Sequence, residues 1–162
     1  MFLSFNRVVT VLTISCVLLI SNDASAFCFS EAGARYKVDP ILLHSIAKVE
    51  SSLNPRAVGK NMDKSRKRVL SRDLGLMQIN ERHVPMLRKM GILNDESELL
   101  ENPCLNVQIG AWILAKHLRL CGVNWECLGS YNAGFDKGNS ERRLIYARKI
   151  YSVYMKAMSG AT

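Results

Sequence analysis

DPILLHSIAKVESSLNP, residues Asp39 to Pro55, reads as one helix with both of its ends marked. Asp39 is placed to cap the N-terminus and Pro40 to open it, where a missing N–H costs nothing. Ile41, Leu42, Leu43, Ile46, Ala47 and Val49 make most of the cylinder apolar, so the helix is expected to lie inside a helical domain. His44, Ser45, Lys48 and Ser52 recur at spacings of three and four and are expected to form its one wet face. Glu50 lies off that face, with Leu43, Ile46 and Ala47 as its neighbours on the helix surface. A carboxylate there is desolvated and stands near the negative end of the helix dipole, and both effects favour its protonated form. That is the form a general acid needs near neutral pH. Spacing alone leaves a second reading open, in which Glu50 reaches solvent or pairs with an arginine.

Downstream, Arg56 to Asp73 is the least regular part of the chain, and Lys60, Lys64, Arg66, Lys67, Arg68 and Arg72 crowd into it. Such a charge run is by default a solvated loop. Asp73 closes it, directly ahead of Leu74 and the stretch Gly75-Leu76-Met77-Gln78-Ile79-Asn80. Gly75 is expected to let backbone approach a ligand, and Gln78 to offer both a donor and an acceptor. Ile79 reads as core, Met77 as core or site, and Asn80 as the cap of a helix over about 81–90 that Pro85 delays. A short helical turn is expected from Asn94-Asp95 through Leu100. Asn102 caps and Pro103 opens a long helix to Leu120, ended by Gly122 and apolar on most sides, which makes it the expected centre of the domain. Trp112 reads as core, and His83 and His117 as ordinary surface histidines. Trp125 to Ala133 forms one more helix, running into Tyr131-Asn132-Ala133-Gly134. Ser140 is expected to cap the last helix, to about Met158, with Tyr146, Ile150 and Val153 on one face. Upstream of the opening stretch, Phe27 to Tyr36 reads as a short helix capped by Ser30.

Residues 1–26 read as an export signal, with Arg7 as the basic region, Val8 to Ile20 as the apolar core and Ala24-Ser25-Ala26 as the cleavage site. A lipoprotein signal at Cys16 is the alternative, though Thr13-Ile14-Ser15 lacks the usual leucine. No later segment is long and apolar enough to hold the mature protein in a membrane. Residues 27–162 then form one domain. Arg7 and Asp23 cancel, so the domain keeps the net charge of +8. A basic exported protein suits an anionic polymer such as the bacterial wall. Export argues against nucleic acid, as do bases that are spread out apart from 60–72. Cys28, Cys104, Cys121 and Cys127 remain, an even count that argues for disulfides with three connectivities open. Cys121 and Cys127 flank the turn Gly122-Val123-Asn124 and suit a local clip, and Cys28 with Cys104 would then tie the N-terminal segment to a later helix. The cysteine spacings and the scattered histidines fit no metal-ligand pattern.

Three motifs occur in order along the chain: Glu50-Ser51 with Asn54-Pro55, Gly75 to Asn80, and Tyr131 to Gly134. In that order the chain resembles the soluble lytic transglycosylase family, whose catalytic domain is lysozyme-like, from about Cys28 to about Tyr154. It looks most like the small single-domain members associated with type III and type IV secretion systems and pili. The resemblance implies a mainly α fold of the goose-type lysozyme or SLT kind, with a small irregular or β lobe around 56–74. Lysozyme-like proteins place a substrate-facing β-hairpin or loop there, which would turn the bases of 60–72 into a groove lining. This chain departs from its relatives by several extra residues around Arg66 to Ser71. The implied activity is cleavage of the β-1,4 bond between N-acetylmuramic acid and N-acetylglucosamine in peptidoglycan, leaving 1,6-anhydro ends.

Carried over residue by residue, the resemblance makes Glu50 the acid. It makes Ser51, Met77, Gln78, Asn80, Tyr131 and Asn132 substrate contacts, and Tyr146 the tyrosine that hydrogen-bonds in the pocket of the acid. Ser51 has an equal rival reading, a hydroxyl satisfying a helix carbonyl, and Tyr131 and Asn132 have one as core and helix C-cap. Lysozymes and some secretion-associated relatives carry a second carboxylate where Asp73 stands. Its rivals are a plain cap for the following turn and, as a weaker candidate for the carboxylate itself, Asp63. Relatives carry cysteines at the equivalents of 28 and 104, which supports that pair. No metal and no cofactor are implied. The expected partners are peptidoglycan strands and components of a secretion or pilus machine, and the expected state is a monomer in the periplasm of a Gram-negative bacterium. Two rival functions stand beside this one: a hydrolytic muramidase using Glu50 and Asp73, and an inactive glycan-binding or assembly protein.

Overall fold

Capping residues decide where most of the helices begin. The computed structural model describes residues 27–160, and the signal reading of residues 1–26 lies outside them. Helix α1 (Phe29–Tyr36) starts from Cys28, which takes a left-handed conformation and is bonded to Cys104. The disulfide thus anchors the entry to the helix, and Ser30 falls inside it rather than capping it. Helix α2 (Pro40–Ser51) starts where Asp39 Oδ1 accepts the Ile41 N–H at 2.8 Å. It ends at Ser52 and Leu53, both left-handed, with Ser52 N–H donating to the Lys48 carbonyl. The wet face expected of α2 is narrower than its spacing implied. Ser45 is fully buried, because its hydroxyl is satisfied at 2.7 Å by the Ile41 carbonyl one turn back. His44 is half-buried, edge-on to Phe29 with ring centroids 5.4 Å apart.

The irregular stretch is an antiparallel hairpin, β1 (Val58–Met62) and β2 (Val69–Leu74), with a short third strand β3 (Ile79–Asn80) on the other side of β2. Asp63 shapes the tip: its Oδ1 accepts the N–H groups of Lys67 and Arg68, and its Oδ2 accepts the Ser65 hydroxyl. The extra length therefore goes into an exposed hairpin tip, and Asp63 is a turn residue rather than a rival carboxylate. After β3, Asn80 caps a 3-10 turn (Glu81–His83), and α3 (Val84–Lys89) begins with Pro85 in its first turn, as the proline requires. The next helical segment, α4 (Glu98–Glu101), starts later than expected, because Glu98 Oε1 reaches back to the N–H groups of Asn94 and Asp95 and holds 94–97 as its lead-in.

Helix α5 (Pro103–Cys121) runs through the middle, with α1, α4, β3 and α6 (Trp125–Ala133) around it. Trp112 is only half-buried at its edge, with the Lys116 ammonium 5.7 Å from its ring centre. Helix α7 (Ser140–Met158) follows a second 3-10 turn (Lys137–Asn139) and packs on α2 and α6. Asn139, not Ser140, stands ahead of it, and the Ser140 hydroxyl donates instead to Glu126. Leu43 and Ile46 of α2, Leu76 and Ile79, Val107 and Leu114 of α5, and Ile150 of α7 are all fully buried in one core. Cys121 is bonded to Cys127, a clip across the α5–α6 turn. No helix among the described residues is long and apolar enough to cross a membrane. The only trio of metal-ligating atoms found together among the described residues, at Cys28, Glu31 and Cys104, has both sulfurs in the disulfide.

Candidate active site

Glu50 stands in the last turn of α2, where the left-handed exit of the helix leaves its carboxyl at the wall of an open cleft of about 580 Å³. Tyr146 of α7 is buried beneath it and donates its phenolic O–H to Glu50 Oε1 at 2.6 Å. Burial pushes the Glu50 carboxyl above the ordinary range, and the negative charge of Asp73 adds to this. The Tyr146 hydrogen bond and the Lys149 ammonium pull the other way without reversing it. Tyr146 itself is held far above the usual phenol value, first by burial and then by the Glu50 charge, so it stays a donor.

Asp73 comes to the same cleft by strand geometry. Side chains alternate across a sheet, so Ser71 and Asp73 share one face of β2 while Arg72 points the other way. Arg72 confirms this by pairing with Glu81 at 2.7 Å and Glu96 at 2.8 Å on the far side. Across the ladder, Asn61 stands opposite Ser71, and Asn80 opposite Asp73. Their amides fix both carboxylate oxygens: Asn61 donates to Asp73 Oδ2 at 2.7 Å and Asn80 to Oδ1 at 2.6 Å. The carboxylate is thus aimed by neutral donors and no cation among the described residues pairs with it. Asn80 serves twice, since its own carbonyl oxygen caps the 3-10 turn.

The loop between β2 and β3 is pinned from below. Asn106 of α5 is fully buried; its amide donates to the carbonyls of Leu74 and Leu99, both at 2.9 Å, and its Oδ1 accepts the Met77 N–H at 2.8 Å. Gly75 lies against this amide with φ +76°, so the close approach that glycine allows is to Asn106 and not to a ligand. Gln78 takes a left-handed φ of 48° at the cleft, held by its Nε2 donating to the carbonyls of Ala57 and Gly75. Tyr131 of α6 donates to the Met77 carbonyl at 2.9 Å and, like Asn132, lines the cleft.

Two expected substrate contacts are placed elsewhere. Met77 is fully buried against Gly110 of α5, because the Asn106 pin turns its side chain into the core. Ser51 donates to the Ala47 carbonyl at 3.0 Å and does not line the cleft, which is the helix-hydroxyl reading. The bases of 60–72 do not line it either; its cations are Arg82 and Arg142. His83 and His117, read from sequence as ordinary surface residues, are half-buried in its wall, where burial holds both imidazoles below their usual value. The Ser130 hydroxyl donates to the Cys127 carbonyl at 2.6 Å, so it accepts from His117 Nδ1 at 2.9 Å. His117 then carries its hydrogen on Nδ1 and leaves Nε2 as an acceptor. Phe135 covers this ring, with centroids 4.6 Å apart, and is itself exposed in the cleft. Neighbouring charged residues masked both histidines in the sequence; the signal was the apolar setting of His117 at the end of a core helix.

A half-buried carboxyl, a second carboxyl held by two amides and an aromatic edge thus meet in one cleft. Comparison with known proteins gives the family. The family model described as "Transglycosylase SLT domain" matches residues 27–153. The chain belongs to this family. A peptidoglycan-binding-like protein of Escherichia coli O157:H7 is 49% identical over 150 residues, covering 93% of this chain and 89% of that protein. Invasion protein IagB of Salmonella typhimurium is 42% identical over 139 residues, covering 86% of this chain and 82% of IagB. Protein IpgF of Shigella flexneri is 39% identical over 131 residues and covers 81% of each. The solved structure of an inactive mutant of the lytic transglycosylase Slt from Pseudomonas aeruginosa superimposes with a TM-score of 0.61 at 17% identity. The match covers 85% of this SLT chain but 25% of Slt, and it shows the lysozyme-like fold.

Proposed function

We propose that this SLT-domain chain is a peptidoglycan lytic transglycosylase. The observation that carries the reading is Glu50: a carboxyl biased toward its protonated form by burial, oriented by Tyr146 and open to a long polar cleft. Glu50 gives its proton to the glycosidic oxygen between N-acetylmuramic acid and N-acetylglucosamine. The C1–O bond breaks, the glucosamine leaves as an alcohol, and positive charge develops on the muramic ring. Asp73, its carboxylate fixed by the amides of Asn61 and Asn80, stabilises that charge. The ionised Glu50 then takes the proton of the 6-hydroxyl of the same sugar, and that oxygen closes on C1 to give the 1,6-anhydro product. Gln78, Asn80, Tyr131 and Asn132 position the strand, with His117 and Phe135 further along the cleft.

Asp73 also supports a second reading, hydrolysis by water, since lysozymes divide labour between two such carboxylates. A binding role, in keeping with the name of the Escherichia coli relative, sits poorly with a desolvated carboxyl that a binding protein has no use for. Mass analysis of wall digested by the purified protein decides among the three, as anhydro ends, reducing ends or uncut strands. Residues 1–26 as an export signal and two disulfides fit the oxidising periplasm. A relative that is an invasion protein fits service to a secretion or pilus apparatus.

A further inference from the structure

The large cleft continues past Glu50 into a second hollow of about 290 Å³, which shares Glu50, Asn132 and Arg142 with it. Its far wall is one face of α7. Arg142, Ile145, Tyr146 and Lys149 lie at i, i+3, i+4 and i+7, so the helix presents them in a row. Tyr146 turns in to Glu50, while the other three remain at the surface. Apart from Glu50 itself the hollow has no acidic residue. Among the described residues neither Arg142 nor Lys149 makes an ion pair or a side-chain hydrogen bond, although Arg143, one position along, is held by Glu126 and two carbonyls. Two cations without an ion-pair partner thus flank the hollow, Arg142 where it joins the cleft and Lys149 further along α7.

A glycan backbone has no negative charge to meet them. The peptide carried on the lactyl group of each muramic acid does, because its side chains and C-terminus bear carboxylates. We propose that Arg142 and Lys149 form a carboxylate-binding subsite for the peptide stem of a sugar next to the cleavage point, so that this enzyme selects stem-bearing strands over stripped ones. The inference rests on the peptidoglycan reading above. An arginine suits the task because its planar fork meets a carboxylate with two parallel hydrogen bonds, while the lysine adds a mobile point charge.

Binding separates this idea from the chemistry. Short soluble glycan strands with their stems, and the same strands after an amidase has removed them, are titrated calorimetrically into the Glu50→Gln protein. Stem-bearing strands should bind about tenfold more tightly, the scale of a charge-assisted hydrogen bond in partial solvent. Arg142→Gln with Lys149→Gln should bring that ratio to about one, with the affinity for stem-bearing strands falling far more than that for stripped strands, which Arg142 also meets at the edge of the cleft. Arg142→Lys should keep part of it. Equal affinity for the two kinds of strand before substitution, or equal loss on both after it, overturns the subsite. Failure of the wild-type protein to cut wall would overturn the proposed function but would not move these binding ratios.

Discussion

At the scale of the residue, Glu50 is held where its charge is unwelcome, and its proton is the consequence. The folded chain keeps that proton above the ordinary value of 4.5, chiefly through burial. Between the unfolded and the folded value, the folded state binds more protons than the unfolded one, so stability falls as pH rises through that window. Below that window the carboxyl is protonated in both states and the penalty vanishes. Glu50→Gln removes the penalty while its carbonyl still accepts from Tyr146. The variant should melt higher than wild type at neutral pH, with the difference closing as pH falls toward 4.5, while wall cleavage drops by about 10²–10⁴-fold. Melting curves from pH 4 to 8 beside a turbidity assay check both halves; equal melting at every pH would mean that the carboxyl is solvated. Tyr146→Phe deletes a bond that favours the ionised form, so it should move the basic limb of the pH–rate profile to higher pH and slow the reaction. Asp73→Asn should move that limb the opposite way, since a like charge is lost, and cut the rate by about 10–100-fold. A profile unmoved by Asp73→Asn would leave Asp73 as a fastener of Asn61 and Asn80.

Elements differ in how openly the chain announces them. Asp39-Pro40 and Asn102-Pro103 are local signals, a cap followed by a residue with no N–H to lose, and the helices begin where these pairs stand. Helix spacing also sets Glu50 beside Leu43, Ile46 and Ala47, but it leaves open an acid reaching solvent or pairing with an arginine, and the resemblance to the family decides between the two. The resemblance added Asp73 and Tyr146, whose partners lie on other elements. What stayed illegible is non-local. His83 and His117 line one cleft only once the 3-10 turn and α5 are brought together around it, and nothing near either residue reports that. Asn106 is the plainest case: it sits in an apolar helix like a misplaced polar residue, and its partners are 7 to 32 positions away. Those bonds hold the Gly75–Asn80 loop at the depth the cleft requires. Asn106→Ala should therefore cost about 2–4 kcal/mol, three buried partners losing their bonds at once. Denaturant unfolding measures the loss, and the strand binding proposed for Gln78 and Asn80 should weaken with it. A cost under about 0.5 kcal/mol, the scale of an ordinary surface change, would show the loop to be held by other means.

For the whole molecule, the question is what keeps α1 on a domain whose cleft is built by α2, the hairpin, α6 and α7. Helix α1 is only eight residues long, too short to be stable alone, and it packs on α2 and α5. Cys28–Cys104 spans 76 positions and joins its first turn to the start of α5, whereas Cys121–Cys127 spans 6 and only closes a turn. In the chain-entropy account the first bond restricts the unfolded chain by about 4 kcal/mol and the second by about 2 kcal/mol. Replacing Cys28 and Cys104 by alanine should lower the melting temperature by roughly 10 °C, and about twice as far as the same change at Cys121 and Cys127. Neither bond touches the groups around Glu50, so cleavage measured well below the transition should persist in both variants. The two losses should add in the quadruple variant, because the bonds share no residues and close separate loops. A larger loss from the short clip would contradict this ordering: it would mean that the clip holds the His117–Ser130 contact in the folded state, and that its contribution is native packing rather than chain entropy.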